Sequence, residues 1–172
     1  MLIVVYGGAG SGKSEYAERL IVESGLAGRT YIATMEPYGE AAAERIARHR
    51  ALRAGKGFET VECFRGLAAL SLPQGGAALL EDLTNLLANE WFGGERAGAA
   101  QRVLDGLARL PEAAALAVVV ANDLFTGGLT YDPETEAFLE ALSAVHRAVA
   151  ARADAVYEVV CGIPLRWKGA TP

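Results

Sequence analysis

Five apolar residues, Leu2 to Tyr6, run straight into the glycines Gly7 and Gly8, which predicts a first strand ending in a tight loop. Ser14–Ser24 then spaces its apolar residues with a helical period. Thr30–Ala33 is a short second strand, and Gly39–Ala54 is a charged helix. Glu59–Cys63 and Ala77–Glu81 read as strands, the latter followed by a helix through Asn89. Gln101–Leu110 reads as a helix, Leu116–Ala121 as a buried strand, Pro133–Ala153 as a long helix and Ala155–Val160 as a last strand. The Gly-rich stretch from Phe92 to Ala100 is expected to be a loop. Strands alternating with helices predict an α/β layered fold with a largely parallel sheet, of the P-loop NTPase type once the first loop is considered. Unbroken runs such as Val118-Val119-Val120 suit strands covered on both faces.

The 172 residues fit a single domain spanning residues 1–172, large enough to bury a core without disulfides. Composition places the chain among soluble globular proteins. A net charge of −5 disfavours general nucleic-acid binding. The spacing of Cys63 and Cys161 suggests neither a metal site nor a redox pair, so two reduced, semi-buried thiols are expected. The longest apolar run, Ala113 to Ala121, falls far short of the roughly 20 residues a membrane span needs, and no charged segment precedes the first apolar stretch. A cytoplasmic location is the expectation by elimination.

Gly7-Gly8-Ala9-Gly10-Ser11-Gly12-Lys13-Ser14 matches G-x-x-x-x-G-K-[ST] at the junction of a strand and a helix. Glycines let successive backbone N–H groups turn inward onto phosphate oxygens, and the helix start adds its positive end. Lys13 is expected at the β- and γ-phosphates and Ser14 on Mg²⁺. An acidic residue from a neighbouring strand should complete a metal site, and Glu81 and Asp82 are the candidates. Asp82 stands where a helix N-cap belongs, which favours Glu81 for the metal.

Arg45, Arg48, Arg50 and Arg53 surround His49 in an otherwise acidic protein, with Ile46, His49, Arg50 and Arg53 on one helix face. Neighbouring cations disfavour a protonated imidazole, and a neutral one is a nucleophile toward phosphorus. A solvated basic face with an incidental histidine has the same pattern, and these residues alone leave both open. His146, which has no such company, reads as structural or exposed.

Over nearly its whole length the chain resembles the bifunctional adenosylcobinamide kinase/adenosylcobinamide-phosphate guanylyltransferase family. The resemblance is carried by the phosphate loop, then Tyr31-Ile32-Ala33-Thr34, Arg45-Ile46-Ala47-Arg48-His49-Arg50, Glu59-Thr60-Val61-Glu62, Leu79-Leu80-Glu81-Asp82-Leu83-Thr84, Ala153 to Val160 and Gly162-Ile163-Pro164-Leu165. It implies phosphorylation of adenosylcobinamide by ATP or GTP, then transfer of GMP from GTP through a guanylylated histidine, which falls on His49. It also implies guanine-nucleotide contacts at Ala33, Thr34, Met35, Arg50, Ala51, Leu52, Arg53, Glu62 and Glu81, and a homotrimer. The chain departs from the family in having Gly10 where many members carry Arg, and Gly55-Lys56-Gly57-Phe58 where R-P-x-x-W is common. It also has Asn122-Asp123-Leu124-Phe125-Thr126-Gly127-Gly128 where N-E-V-G is frequent. A P-loop kinase acting on a nucleotide or small metabolite would need no His49. A GTP-dependent switch would carry N-K-x-D and D-x-x-G, and the sequence contains neither.

Overall fold

The computed structural model describes residues 1–125, 128 and 130–169, apart from the side chains of residues 41 and 45. Thr126 and Gly127, within the segment that departs from the family pattern, lie outside the described residues.

The elements are β1 (Leu2–Gly7), α1 (Lys13–Glu23), β2 (Arg29–Ala33), α2 (Gly39–Arg53), β3 (Phe58–Glu62), β4 (Ala77–Glu81), α3 (Leu83–Phe92), α4 (Ala99–Ala113), β5 (Leu116–Asn122), α5 (Pro133–Arg152), β6 (Ala155–Val160) and β7 (Ile163–Lys168). The strands form one sheet in the order β3-β2-β4-β5-β1-β6-β7. All pairings are parallel except β6 with β7. The expected α/β P-loop-type architecture is therefore present. Every strand read from the sequence lies within one or two residues of its place, and β7 is an addition.

Strand alternation sorts the core into two layers. Leu2, Val4, Ile32, Leu80, Val119 and Ala121 pack against Leu83, Leu87, Val103, Leu107, Phe138 and Leu142, on the side of α3, α4 and α5. Ile3, Val5, Tyr31, Leu79, Val118, Val120 and Tyr157 face the other way, onto Ala17 and Ile21 of α1. β4 and β5 are buried along almost their whole length, because helices cover both faces.

The expected loop at Phe92–Ala100 is shorter than its Gly content suggested. Phe92 closes α3 and Ala99 opens α4, so only residues 93–98 connect them. The cysteines also differ from expectation: Cys63 is buried and Cys161 is exposed, and both are free. Among the described residues no helix is long and apolar enough to cross a membrane.

Candidate functional site

The loop after β1 folds back on itself through two left-handed glycines, Gly10 at φ 70° and Gly12 at φ 90°. Ser11 N–H donates to Gly8 O (3.2 Å), and Gly162 N–H donates to Ser11 O (2.8 Å), which ties the loop to the β6–β7 turn. At Gly12 two things favour glycine, the left-handed backbone and the crowding a Cβ would meet 3.1 Å from Gly162 Cα. Gly10 faces open space, so the left-handed backbone and not crowding is what favours glycine there. No side chain caps α1, which leaves its first N–H groups aimed out of the loop. Lys13 is buried and its ammonium donates to Gly8 O at 3.0 Å.

Alternation along β4 turns Glu81 to the α1 side of the sheet, where its Oε1 accepts from Ser14 Oγ at 2.6 Å. Glu81 Oε2 and Ser11 Oγ are buried and have no hydrogen-bond partner among the described residues. Burial first, then the neighbouring Asp82, pushes the Glu81 carboxyl from its ordinary 4.5 up to about 8, against the pull of Ser14 and Lys13. A hydroxyl and a carboxylate with one oxygen unspent make a hard-oxygen pair of the kind divalent cations take. Among the described residues no group of three or more His, Cys, Asp or Glu side chains is placed to hold a metal by itself. Such a site would need further oxygens from a phosphate.

Asp82 caps α3, with Oδ1 accepting from Asn85 N–H at 2.7 Å and Oδ2 from Asn122 Nδ2 at 2.8 Å. The hydroxyl of fully buried Thr34 donates to Asp82 O and accepts from Asp82 N–H, at 2.8 and 2.6 Å. Thr34 thus braces the end of β4 from behind, and its hydroxyl is spent there.

The opposite wall is α2. Of its described side chains only Arg53 is buried. The guanidinium of Arg53 lies 3.5 Å from the Tyr31 ring centroid and donates to Thr60 Oγ1 at 3.2 Å. His49, one turn earlier on the same face, brings Nδ1 to 3.4 Å from Tyr31 Oη. Arg50 reaches Glu62 at 3.4 Å, an exposed pair worth little by itself. Beyond the helix, Lys56 donates to the buried Glu18 of α1 at 2.6 Å.

These two walls enclose a cavity of about 330 Å³. Of the residues singled out from the sequence, Ala9 to Ser14, Ala33, Met35, His49, Arg50, Leu52, Arg53, Glu62 and Glu81 line it. Gly7, Gly8, Thr34 and Ala51 do not. Ile46 and Arg48 join the lining, and the side chain of Arg45 lies outside the described residues. Glu15, Tyr31, Thr60 and Asn122 also line the cavity and had no assigned role, and Asp82, read from the sequence as a helix N-cap, lines it as well. For Tyr31 a signal existed: it shares a strand face with Ala33.

Asp123 turns away from this cavity, its Oδ1 accepting from Phe125 N–H at 2.9 Å. His146 is half-buried, with its ring edge-on to Tyr6 and Phe125 at 6.0 and 5.6 Å. Of the two readings the sequence left for it, structural or exposed, this packing fits the structural one.

Along nearly its whole length the chain is similar to proteins of one family. The model of the cobinamide kinase / cobinamide phosphate guanyltransferase family matches residues 3–167. The bifunctional adenosylcobalamin biosynthesis protein CobP of Pseudomonas aeruginosa is 35% identical over 96% of both chains. The corresponding protein CobU of Salmonella typhimurium is 33% identical over 98% of this chain and 100% of its own. A solved type III secretion ATPase from pathogenic bacteria shares the fold at a TM-score of 0.58 and 11% identity. It covers 96% of this chain and 56% of its own.

Proposed function

Because the chain belongs to the cobinamide kinase / cobinamide phosphate guanyltransferase family, we propose that it performs both reactions of that name in cobalamin biosynthesis, using the one cavity between the phosphate loop and α2. The enzyme phosphorylates the hydroxyl of the aminopropanol arm of adenosylcobinamide with ATP or GTP. It then moves GMP from GTP onto that phosphate, releasing pyrophosphate. What carries this reading is that a phosphate cradle (Lys13, Ser14, the α1 N-terminus) and a histidine flanked by arginines face each other across a single cavity.

For the kinase step the protein's contribution is position and charge. The loop N–H groups and Lys13 hold the triphosphate, and Arg50 and Arg53 balance its charge from the other wall. Ser14 and Glu81 would hold Mg²⁺, and their hard oxygens and the unspent Glu81 Oε2 suit that ion. When bound, the ion offsets charge on the phosphate oxygens. For the transfer step the His49 imidazole attacks the α-phosphorus and pyrophosphate departs. The acceptor's phosphate then displaces the imidazole. Ala33, Met35, Leu52 and Glu62 line the remaining surface and are assigned to the guanosine; we assign no ligand contact to Thr34 or Ala51.

Assembly as a homotrimer and a cytoplasmic location, where GTP and ATP are supplied, belong to the same proposal. The exposed apolar side chains of β7, Ile163 at 62% and Trp167 at 71%, support contact between copies.

The test uses α-labelled GTP and Mg²⁺. Label should stay on the protein in an acid-labile form and vanish in His49→Ala. With adenosylcobinamide added, both the phosphate and the GDP form should be found by mass. Formation of the phosphate form alone would refute the transferase half, and neither product from folded protein would refute the substrate assignment.

A further inference from the structure

Tyr31 is where α2 rests. The residue lies mid-strand in β2, 3% exposed, with Phe58 edge-on to its ring at 6.2 Å. Two residues one helical turn apart on α2 use its two ends: Arg53 covers the ring face, and His49 Nδ1 meets the hydroxyl. Arg53 is itself pinned by Thr60 and buried, so the seat is fixed on three sides. The helix has no other buried anchor among its described side chains.

A neutral imidazole has one proton and two nitrogens, and the group bonded to one nitrogen decides which nitrogen carries the lone pair. Burial raises the Tyr31 phenol far above its ordinary range, so the hydroxyl stays un-ionised and can meet Nδ1 in either sense, its oxygen accepting from an Nδ1–H or its O–H donating to a bare Nδ1. We propose that Tyr31 is the positioning residue of guanylyl transfer: its oxygen accepts from Nδ1–H of His49 and holds the ring in the tautomer whose Nε2 lone pair attacks phosphorus. The inference rests on the guanylylated-His49 reading above. The electron count closes without a base. Nε2 donates its pair to the α-phosphorus, and the bond to the bridging oxygen breaks, with its electrons leaving on pyrophosphate. The ring, now positively charged, keeps its Nδ1 proton on Tyr31. In the second displacement an oxygen of the acceptor phosphate bonds to phosphorus, the P–N pair returns to Nε2, and Nδ1 has never lost its proton.

The chain has only two histidines, so nitrogen-15 shifts of the His49 ring can be assigned by comparison with His49→Ala. In the wild-type protein at neutral pH we expect the Nδ1–H form. The Nε2–H form in that spectrum would overturn the proposal without any variant of Tyr31. Tyr31→Phe retains the ring under Arg53 and removes only the oxygen. Single-turnover labelling from α-labelled GTP should slow about tenfold, the scale of one lost hydrogen bond. The GTP concentration for half-maximal rate should hold, and the tautomer balance should move toward Nε2–H. An unchanged labelling rate overturns the proposal. So does a slower rate with an unmoved tautomer and a proportionate rise in that GTP concentration, which would mark a packing role. Absence of label from the wild-type His49 refutes the underlying reading instead, and takes this inference with it.

Discussion

Glu81 joins function to stability in a way that a single amide substitution can separate. The carboxyl is 8% exposed, and burial lifts it from 4.5 to about 8. A carboxyl raised in the folded state favours folding below its unfolded value, and that contribution is lost as pH rises through the folded value. The window is therefore pH 4.5 to 8. The rise corresponds to about 5 kcal/mol at 1.36 kcal/mol per pH unit, and nearly all of it is felt by pH 8. Glu81→Gln keeps the size and an oxygen for the Ser14 hydroxyl but cannot ionise. Without nucleotide, the variant should gain on wild type by several kcal/mol between pH 5 and pH 8, read as urea midpoints with unchanged m-values. Adding Mg²⁺ and GTP at pH 8 should reverse the order, stabilising wild type and leaving the variant nearly unmoved. Parallel pH profiles for the two proteins would refute the burial argument. Equal stabilisation by Mg²⁺ and GTP would refute the assignment of Glu81 to the metal.

His49→Ala should lower guanylyl transfer by at least about a thousandfold while phosphorylation of adenosylcobinamide persists, as product analysis by mass would show. His146 is held at about 4, well under its ordinary 6.5, by burial, with Asp123 pulling the other way. A depressed histidine supports folding above 6.5 and loses that support as pH falls toward 4. His146→Leu should therefore remove up to about 3 kcal/mol of acid destabilisation across that window, measured as the difference between two pH-dependent denaturation series. Gly106 of α4 is packed against Leu67, and a Cβ there would lie 2.7 Å from Leu67 Cβ. Gly106→Val should cost about 1–3 kcal/mol by overpacking, seen as a lower urea midpoint, with activity per folded molecule retained.

Apolar runs bounded by glycine or charge made β1, β4 and β5 legible, because strands covered on both faces have little choice of residue. β7 escaped notice for local reasons. Its turn is the pair Cys161-Gly162, both at positive φ (50° and 79°), and a cysteine in that conformation does not announce a hairpin. Pro164 argues against a strand unless the strand lies at an edge, which is where β7 lies. At the site, the phosphate loop was legible because backbone geometry dictates its glycines. Glu81 was legible as an acid at a strand end. Thr34 and Asn122 could not be told apart from ligand contacts, since only coordinates reveal that both are spent on Asp82. Tyr31 was in view inside a quoted motif, but its use depends on where α2 comes to rest, and no period in either segment encodes that distance.

The two walls of the cavity are held by different means. On the β4 side, Glu81 and Asp82 are enclosed by Ser14, Thr34, Asn85 and Asn122, each with a hydrogen bond at 3.0 Å or less. Apart from Glu81 Oε2, these buried polar groups are partnered, and departure from the arrangement would strand a donor or acceptor away from water. The α2 side depends on the Tyr31 seat, one exposed ion pair at Arg50, and Lys56 on Glu18 past the helix end. Phosphoryl transfer from a bound triphosphate gains most from a fixed cradle, and the rigid wall supplies it. A nucleophile that must first reach phosphorus and later give it up needs a helix whose approach is not frozen into the core. On the proposed role of His49, the polar surface of α2 answers a requirement of the chemistry, and the proposed Tyr31 seat would supply the orientation that burial of the helix would otherwise provide.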